Sequence, residues 1–177
     1  MSGGTGPQEL RLREVERAFV TLPDRYLGAP AGCRANYRIV LEDLGMSWGV
    51  ELDGERCEVV PRGRRKPDIV IGTDSATWLE LREGELSGLD AFRSRRLWAR
   101  GNMDLAIAFE GYFRLPNGRL PLLRVHEVAA GKARISTLTA GDGPETAVLV
   151  HGLGGTKSSF YETVSALTDH YTVHAID

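Results

Sequence analysis

The sequence predicts an α/β protein in two parts: an α+β domain with an antiparallel sheet and helices on one face, and then the beginning of a mostly parallel sheet. Two observations indicate this fold class. Between residues 35 and 60, apolar and polar residues alternate as they do in half-buried antiparallel strands. From residue 146 onward, short apolar runs are separated by a helical pattern, which is typical of parallel strands joined by a crossover helix.

The first part begins with an amphipathic helix, because Val15, Phe19 and Leu22 recur at helical spacing before Pro23. An Asp-Gly pair at Gly54 predicts a tight hairpin turn. Four strands are expected after the helix, at residues 35–42, 47–52, 56–60 and 68–73.

A second helix is predicted from Asp74 or Ser75, which can cap it, to Glu83. After it we expect a helical turn at 89–94, a strand at 95–101 and a helix at 103–113. The last helix carries only Asp104 and Glu110 as charged residues, so it needs apolar cover on several sides. A thick core, a second domain or an apolar ligand between helix and sheet could each supply that cover.

A segment with two prolines and an Asn-Gly pair, residues 115–121, predicts a domain boundary. After it we expect a hairpin through Gly131, a buried strand at 146–150, a helix from Thr156 or Ser158 and a strand at 171–176. The expected organisation is a disordered tail at 1–7, a first domain at 8–116, a linker at 117–121 and a second segment at 122–177.

The composition excludes several function classes. The 177 residues are 42% apolar and 26% charged, and the net charge of -2 argues against nucleic acid as a partner. No apolar run reaches the roughly 18 residues of a membrane-spanning helix and no signal peptide is recognisable, so we expect a cytoplasmic protein that does not span a membrane. Cys33, Cys57 and the four histidines lack metal-ligand spacing, so neither a metal nor a cofactor is expected.

Three blocks of the first part carry a resemblance: Tyr37–Gly45 with Trp48, Asp68–Ile71 before Trp78–Leu81, and Leu97–Ala106. With them, the chain from about Glu9 to Phe113 resembles the type-two sterol carrier protein family. The resemblance implies an apolar tunnel between sheet and helices that holds a lipid or sterol-like molecule. By the same resemblance the tunnel-lining candidates are Trp48, Leu79, Phe92, Leu97, Leu105, Phe109 and Phe113.

The second part carries another resemblance. Val148–Phe160 resembles the strand, His-Gly loop and first helix of the α/β-hydrolase fold, and Val173–Asp177 looks like the next parallel strand. The resemblance implies an oxyanion loop in which Leu153 offers a backbone N–H while His151 and Gly152 shape the turn. The nucleophile motif G-x-S-x-G is absent, so the family order places the whole Ser-Asp-His triad beyond Asp177 and leaves this chain without a catalytic residue.

Two nucleotide-binding patterns compete for the same glycine-rich segment and fail on spacing. A Walker loop needs its lysine directly after the second glycine, whereas Lys157 follows Thr156. A dinucleotide fingerprint would need a glycine at the position of Lys157. Neither pattern is kept.

Together the two parts predict a fragment of a longer lipid-handling α/β-hydrolase that lacks its C-terminal hydrolase segment. The function expected of this chain is binding of a long-chain lipid or sterol-like ligand, without enzymatic activity of its own. In the alternative, the parent protein is primarily a hydrolase of ester or acyl bonds, and the first domain is a regulatory or docking domain.

Overall fold

The computed structural model describes residues 6–29, 33–116 and 123–177. Within these ranges the α-helices are α1 Pro7–Val20, α2 Ser75–Glu83, α3 Gly88–Arg93, α4 Met103–Ala108 and α5 Tyr161–Leu167. The strands of the first sheet are β1 Arg34–Leu41, β2 Met46–Asp53, β3 Arg56–Pro61, β4 Ile69–Thr73 and β5 Leu97–Gly101. Those of the second sheet are β6 Leu123–Ala130, β7 Ala133–Ala140, β8 Glu145–Val150 and β9 Tyr171–Ile176. Short 3₁₀ helices span Pro23–Arg25, Glu42–Leu44, Glu110–Tyr112 and Lys157–Phe160.

The first sheet has the strand order β3-β2-β1-β4-β5, and in its central strand β1 the alternating pattern places every second side chain in the core. Tyr37, Ile39 and Leu41 of the central strand β1 are all buried. Gly45 and Gly54 have positive φ angles of 61° and 59°, which is the conformation that the tight turns on either side of β2 require. The predicted α+β fold class is confirmed for this part of the chain.

One pairing differs from the expected antiparallel arrangement. β4 lies beside β1 in parallel register, with Ile71 opposite Ile39, while the other pairs of this sheet are antiparallel. The chain between β3 and β4 crosses back to the start of β1 before β4 begins, so β4 runs in the same direction as β1. The sheet is therefore mixed.

The helix predicted after β4 forms as expected. The Asp74 carboxylate accepts a hydrogen bond of 2.8 Å from the backbone N–H of Thr77, and Gly84 ends the helix with a φ of 76°. Asn102 caps α4 in the same way, by accepting from the backbone N–H groups of Asp104 and Leu105. Both helices therefore begin at the residue after a polar N-cap, which at Asp74 is the cap that the sequence predicts.

The apolar helix expected at 103–113 is shorter than predicted. α4 ends at Ala108, and the chain then tightens into the 3₁₀ turn Glu110–Tyr112, in which the N–H of Phe113 donates to the carbonyl of Glu110. The tighter turn places Tyr112 and Phe113 in the first core and brings the Gly111 backbone against β6.

The second sheet has the order β6-β7-β9-β8, with β8 and β9 parallel and α5 between them along the chain. The prediction of a buried strand at 146–150 is wrong for β8, since Val148 is 59% exposed and Val150 is 66% exposed. β8 is the outermost strand, and among the described residues no helix covers the face that carries these two valines.

Buried side chains form two clusters, one on each sheet. We call residues 6–116 the first unit and residues 123–177 the second unit. Most of the predicted tail at 1–7 lies outside the described residues. The whole of the predicted linker at 117–121 also lies outside them. Among the described helices, none is long and apolar enough to cross a membrane.

Candidate functional site

A cavity of about 270 Å³ lies in the first unit between the sheet and its helices. This volume is close to the lower end of the range found for ligand pockets, about 300–1,000 Å³. Most of its lining is apolar, and the walls include Ile71, Trp78, Phe92, Leu97, Phe109 and Phe113. An enclosure of this kind favours an apolar molecule over a charged one.

Local structure explains how these side chains meet. Ile71 of β4 lies opposite Ala99 of β5, and the small alanine leaves space above the sheet at that point. Trp78 of α2 and Phe109 after α4 approach from the helical side, with ring centroids 6.2 Å apart. The cavity is therefore the gap that remains between two neighbouring strands and the helices packed over them.

Four of the seven predicted tunnel-lining residues lie on this cavity: Phe92, Leu97, Phe109 and Phe113. Phe113 is buried, whereas Phe92 of α3 is 45% exposed. These four come from three different segments of the chain, and the fold brings them together.

The other three predicted residues, Trp48, Leu79 and Leu105, do not line the cavity and pack in or against the first core. The Trp48 ring stacks on Phe19 at a centroid distance of 4.1 Å, so the Phe19 ring lies between Trp48 and the cavity-lining Trp78. On α2 the cavity is lined by Trp78, Leu81 and Arg82 and not by Leu79, because neighbouring helical residues point about 100° apart and residues three or four apart share a face.

Two arginines on the cavity wall were not predicted. Arg25 donates from Nη2 to the carbonyl of Arg82 at 3.0 Å, and Arg82 pairs through Nη1 with the Glu83 carboxylate at 2.6 Å. Burial, together with the neighbouring Arg82 charge, lowers the pKa of Arg25 to about 10. Within the described residues, Nη1 of Arg25 and Nε of Arg82 are buried without a hydrogen-bond partner.

A carboxyl group forms another polar part of the wall. Glu110 accepts a hydrogen bond of 2.7 Å from the backbone N–H of Gly88, at the start of α3. Burial raises the pKa of Glu110, and the charge of Asp90 acts in the same direction. The sequence pattern marked Glu110 only as a charge in an apolar segment, without indicating its partner.

The predicted oxyanion loop lies away from the cavity. His151, Gly152 and Leu153 follow β8, with Nδ1 of His151 2.8 Å from the carbonyl oxygen of Gly152 and the Leu153 side chain fully exposed. The nearby serines have structural contacts: Ser159 belongs to a capping box with Thr156, and the Ser158 hydroxyl donates to the Asp104 carboxylate.

Structural comparison finds similar folds at low identity. The sterol carrier protein 2-like 2 of Aedes aegypti is 16% identical with a TM-score of 0.41, and the match covers 58% of this chain and 93% of that one. Sterol carrier protein 2 of Yarrowia lipolytica is 19% identical with a TM-score of 0.35, covering 60% and 77%. The sec-alkylsulfatase Pisa1 of a Pseudomonas species is 17% identical with a TM-score of 0.43, covering 47% of this chain and only 13% of that enzyme.

Sequence comparison is more decisive. No curated protein matches the chain significantly. The sequence model described as the SCP-2 sterol transfer family matches residues 24–114, which is just over half of the 177 residues and includes the whole of the first sheet. The chain therefore belongs to the SCP-2 sterol transfer family.

Proposed function

We propose that this chain binds a long-chain lipid or a sterol-like molecule in the cavity of the first unit. The observation that carries the proposal is the apolar cavity between the sheet and the helices, in a chain whose family is described by sterol transfer. Each methylene group that leaves water contributes about 0.8 kcal/mol, so an apolar ligand binds usefully without a charged anchor. Phe92, Leu97, Phe109 and Phe113 are the proposed contacts among the predicted residues.

The remaining predicted residues have a supporting role in this proposal. Trp48, Leu79 and Leu105 pack in or against the first core. Leu105 also supplies the carbonyl that accepts a 3.0 Å hydrogen bond from the Tyr37 hydroxyl. They hold the sheet and the helices at the separation that leaves the cavity open.

Titration of the purified chain with cis-parinaric acid and with dehydroergosterol, followed by fluorescence, tests the proposal. Saturable binding of at least one probe is expected, and Phe109→Glu should weaken it about tenfold or more because a carboxylate would be buried in the cavity. Val20→Glu introduces the same charge at a helix position that is 75% exposed, and should leave binding unchanged. Absence of saturable binding of both probes would contradict the proposal.

We also propose the division into a domain at 8–116, a linker at 117–121 and the front of an α/β-hydrolase domain at 122–177. The observation that favours it is the order of β8, loop, helix and parallel β9 in the second unit, with Val148 opposite His174. Under this second candidate function, His151, Gly152 and Leu153 form the oxyanion loop, and a Ser-Asp-His triad encoded beyond Asp177 cleaves an ester or acyl bond.

Two measurements test the hydrolase candidate. The 177-residue chain should not hydrolyse nitrophenyl butyrate, because it lacks the nucleophile. Turnover that is lost in Ser158→Ala would contradict this assignment. A coding sequence that continues past Asp177 into a G-x-S-x-G motif would support the candidate, and one that stops there would contradict it.

A further inference from the structure

One residue of the second unit belongs to the cavity wall. Tyr161, the first residue of α5, lines the cavity, whereas the other lining residues come from the first unit. Ile107 of α4 also lines it, and the same side chain belongs to the core cluster of the second sheet. On this side, the residues that line the cavity therefore also pack against the core of the second unit.

α4 and the 3₁₀ turn after it connect the two units. Ala108 and Tyr112 belong to the first core, while Ile107 belongs to the second. The hydroxyl of Ser158, which precedes α5, donates to the carboxylate of Asp104 on α4. A movement of α4 would therefore disturb both cores and the hydrogen bond to the second unit.

The Tyr161 ring has surroundings that suit contact with an apolar ligand. Burial, together with the nearby charges of Glu110 and Asp90, raises the pKa of the Tyr161 hydroxyl. The phenol is thus neutral throughout the physiological range. An aromatic ring with one polar end can contact a hydrocarbon chain while its hydroxyl keeps a polar neighbour.

We propose that Tyr161 contacts the bound lipid, so that the second unit completes the binding site and a bound ligand stabilises the packing of α5 against the first unit. This inference rests on the function proposed above. The coupling is reciprocal, because a ligand that gains affinity from the position of α5 must stabilise that position by the same factor. Couplings of this kind are typically about 5-fold to 150-fold.

The test is to titrate the full chain with cis-parinaric acid or dehydroergosterol, whichever of them binds, and to compare the Kd of the wild type with those of Tyr161→Ala and Phe160→Ala. Phe160 precedes Tyr161, is partly buried against the second core and is not among the lining residues of the cavity. Tyr161→Ala should raise the Kd about fivefold or more, and Phe160→Ala should leave it unchanged. Equal affinity of Tyr161→Ala and wild type, or an equal loss in Phe160→Ala, would overturn the inference.

The two proposals fail in different ways. A wild-type chain that binds neither probe contradicts the lipid-binding function itself, whereas a wild-type chain that binds while Tyr161→Ala binds equally well contradicts only the role of Tyr161. If Tyr161→Ala does not fold, hydrogen exchange of the wild type decides the question. Saturation with the probe should then slow exchange of the α5 amides, and unchanged exchange would overturn the inference.

Discussion

The rings of Phe19 and Trp48 stack face to face, with centroids 4.1 Å apart and planes 10° from parallel. On its other face Phe19 stacks on Trp78, at 4.7 Å and 8°. One aromatic ring of α1 thus joins β2 to α2, and α2 also carries part of the cavity wall.

Replacement of Phe19 by alanine should lower the free energy of unfolding by about 3–5 kcal/mol, because it removes a fully buried ring and both stacking contacts. The matched control is Val20→Ala at the next position, where the side chain is 75% exposed and the effect should stay within about 0.5 kcal/mol. Urea denaturation measures both values. Similar losses in the two variants would show that the stack contributes little.

The cap of α2 should make stability depend on pH in the acid range. Burial acts to raise the pKa of Asp74, but hydrogen bonds from the N–H and hydroxyl of Thr77 outweigh it, so the pKa lies below its ordinary value of 3.8. The stabilisation by ionised Asp74 is therefore complete above 3.8 and is lost as the pH falls through the lowered folded-state value.

Asp74→Asn isolates this effect, because asparagine still caps the helix and does not titrate. As the pH is lowered below 3.8, the unfolding free energy of the wild type should fall relative to that of Asp74→Asn. Urea denaturation at a series of acid pH values measures the difference. Parallel curves for the two proteins would contradict the assignment.

Glu110 should have the opposite pH dependence. Burial raises its pKa above the ordinary value of 4.5, so the folded state holds the proton more tightly than the unfolded chain does. Stability should therefore fall as the pH rises from 4.5 through the folded-state pKa. Glu110→Gln keeps an acceptor for the N–H of Gly88 and should reduce this slope in denaturation experiments. If the slope of unfolding free energy against pH is unchanged in Glu110→Gln, the pH dependence arises from another group.

Gly111 marks a close approach between the two units. A Cβ atom at this position would lie 2.8 Å from the carbonyl oxygen of Leu123 and 2.9 Å from the Cα of Arg124, both of which are backbone atoms of β6. Gly111→Ala should therefore destabilise the protein by about 1–3 kcal/mol. At Gly152 an added Cβ meets nothing within 4 Å, so Gly152→Ala should change stability by less than about 0.5 kcal/mol in the same thermal or urea denaturation. Equal effects would exclude a steric role for Gly111.

Local signals made much of the first unit predictable. The alternation around Tyr37 and Ile39 predicts β1, and Asp74 predicts the first turn of α2 through its capping oxygen. The direction of β4 was not predictable in this way, because it depends on the path of the preceding loop and not on the residues of the strand. The end of α4 at Ala108 likewise goes with the approach of Gly111 to β6, which is a tertiary contact that the local sequence does not contain.

The candidate site was only partly predictable for a related reason. The resemblance to the sterol carrier family implied Phe109 and Phe113 as candidates, but it also implied Trp48 and did not indicate Trp78, which is the tryptophan that lines the cavity. Glu110 and Tyr161 contribute to the wall through contacts between segments that are distant in sequence. Periodicity within one segment contains no information about such contacts.

The parallel pairing of β4 with β1 has a consequence for the order of folding. β1 and β2 are joined by the short turn at Gly45, whereas the whole of β2 and β3 lies between β1 and β4 along the chain. Contacts between distant segments form later, because a longer loop has to be closed before they add stability. Ile71 of β4 is part of the cavity wall, so we expect this part of the wall to form after the β1–β2 hairpin.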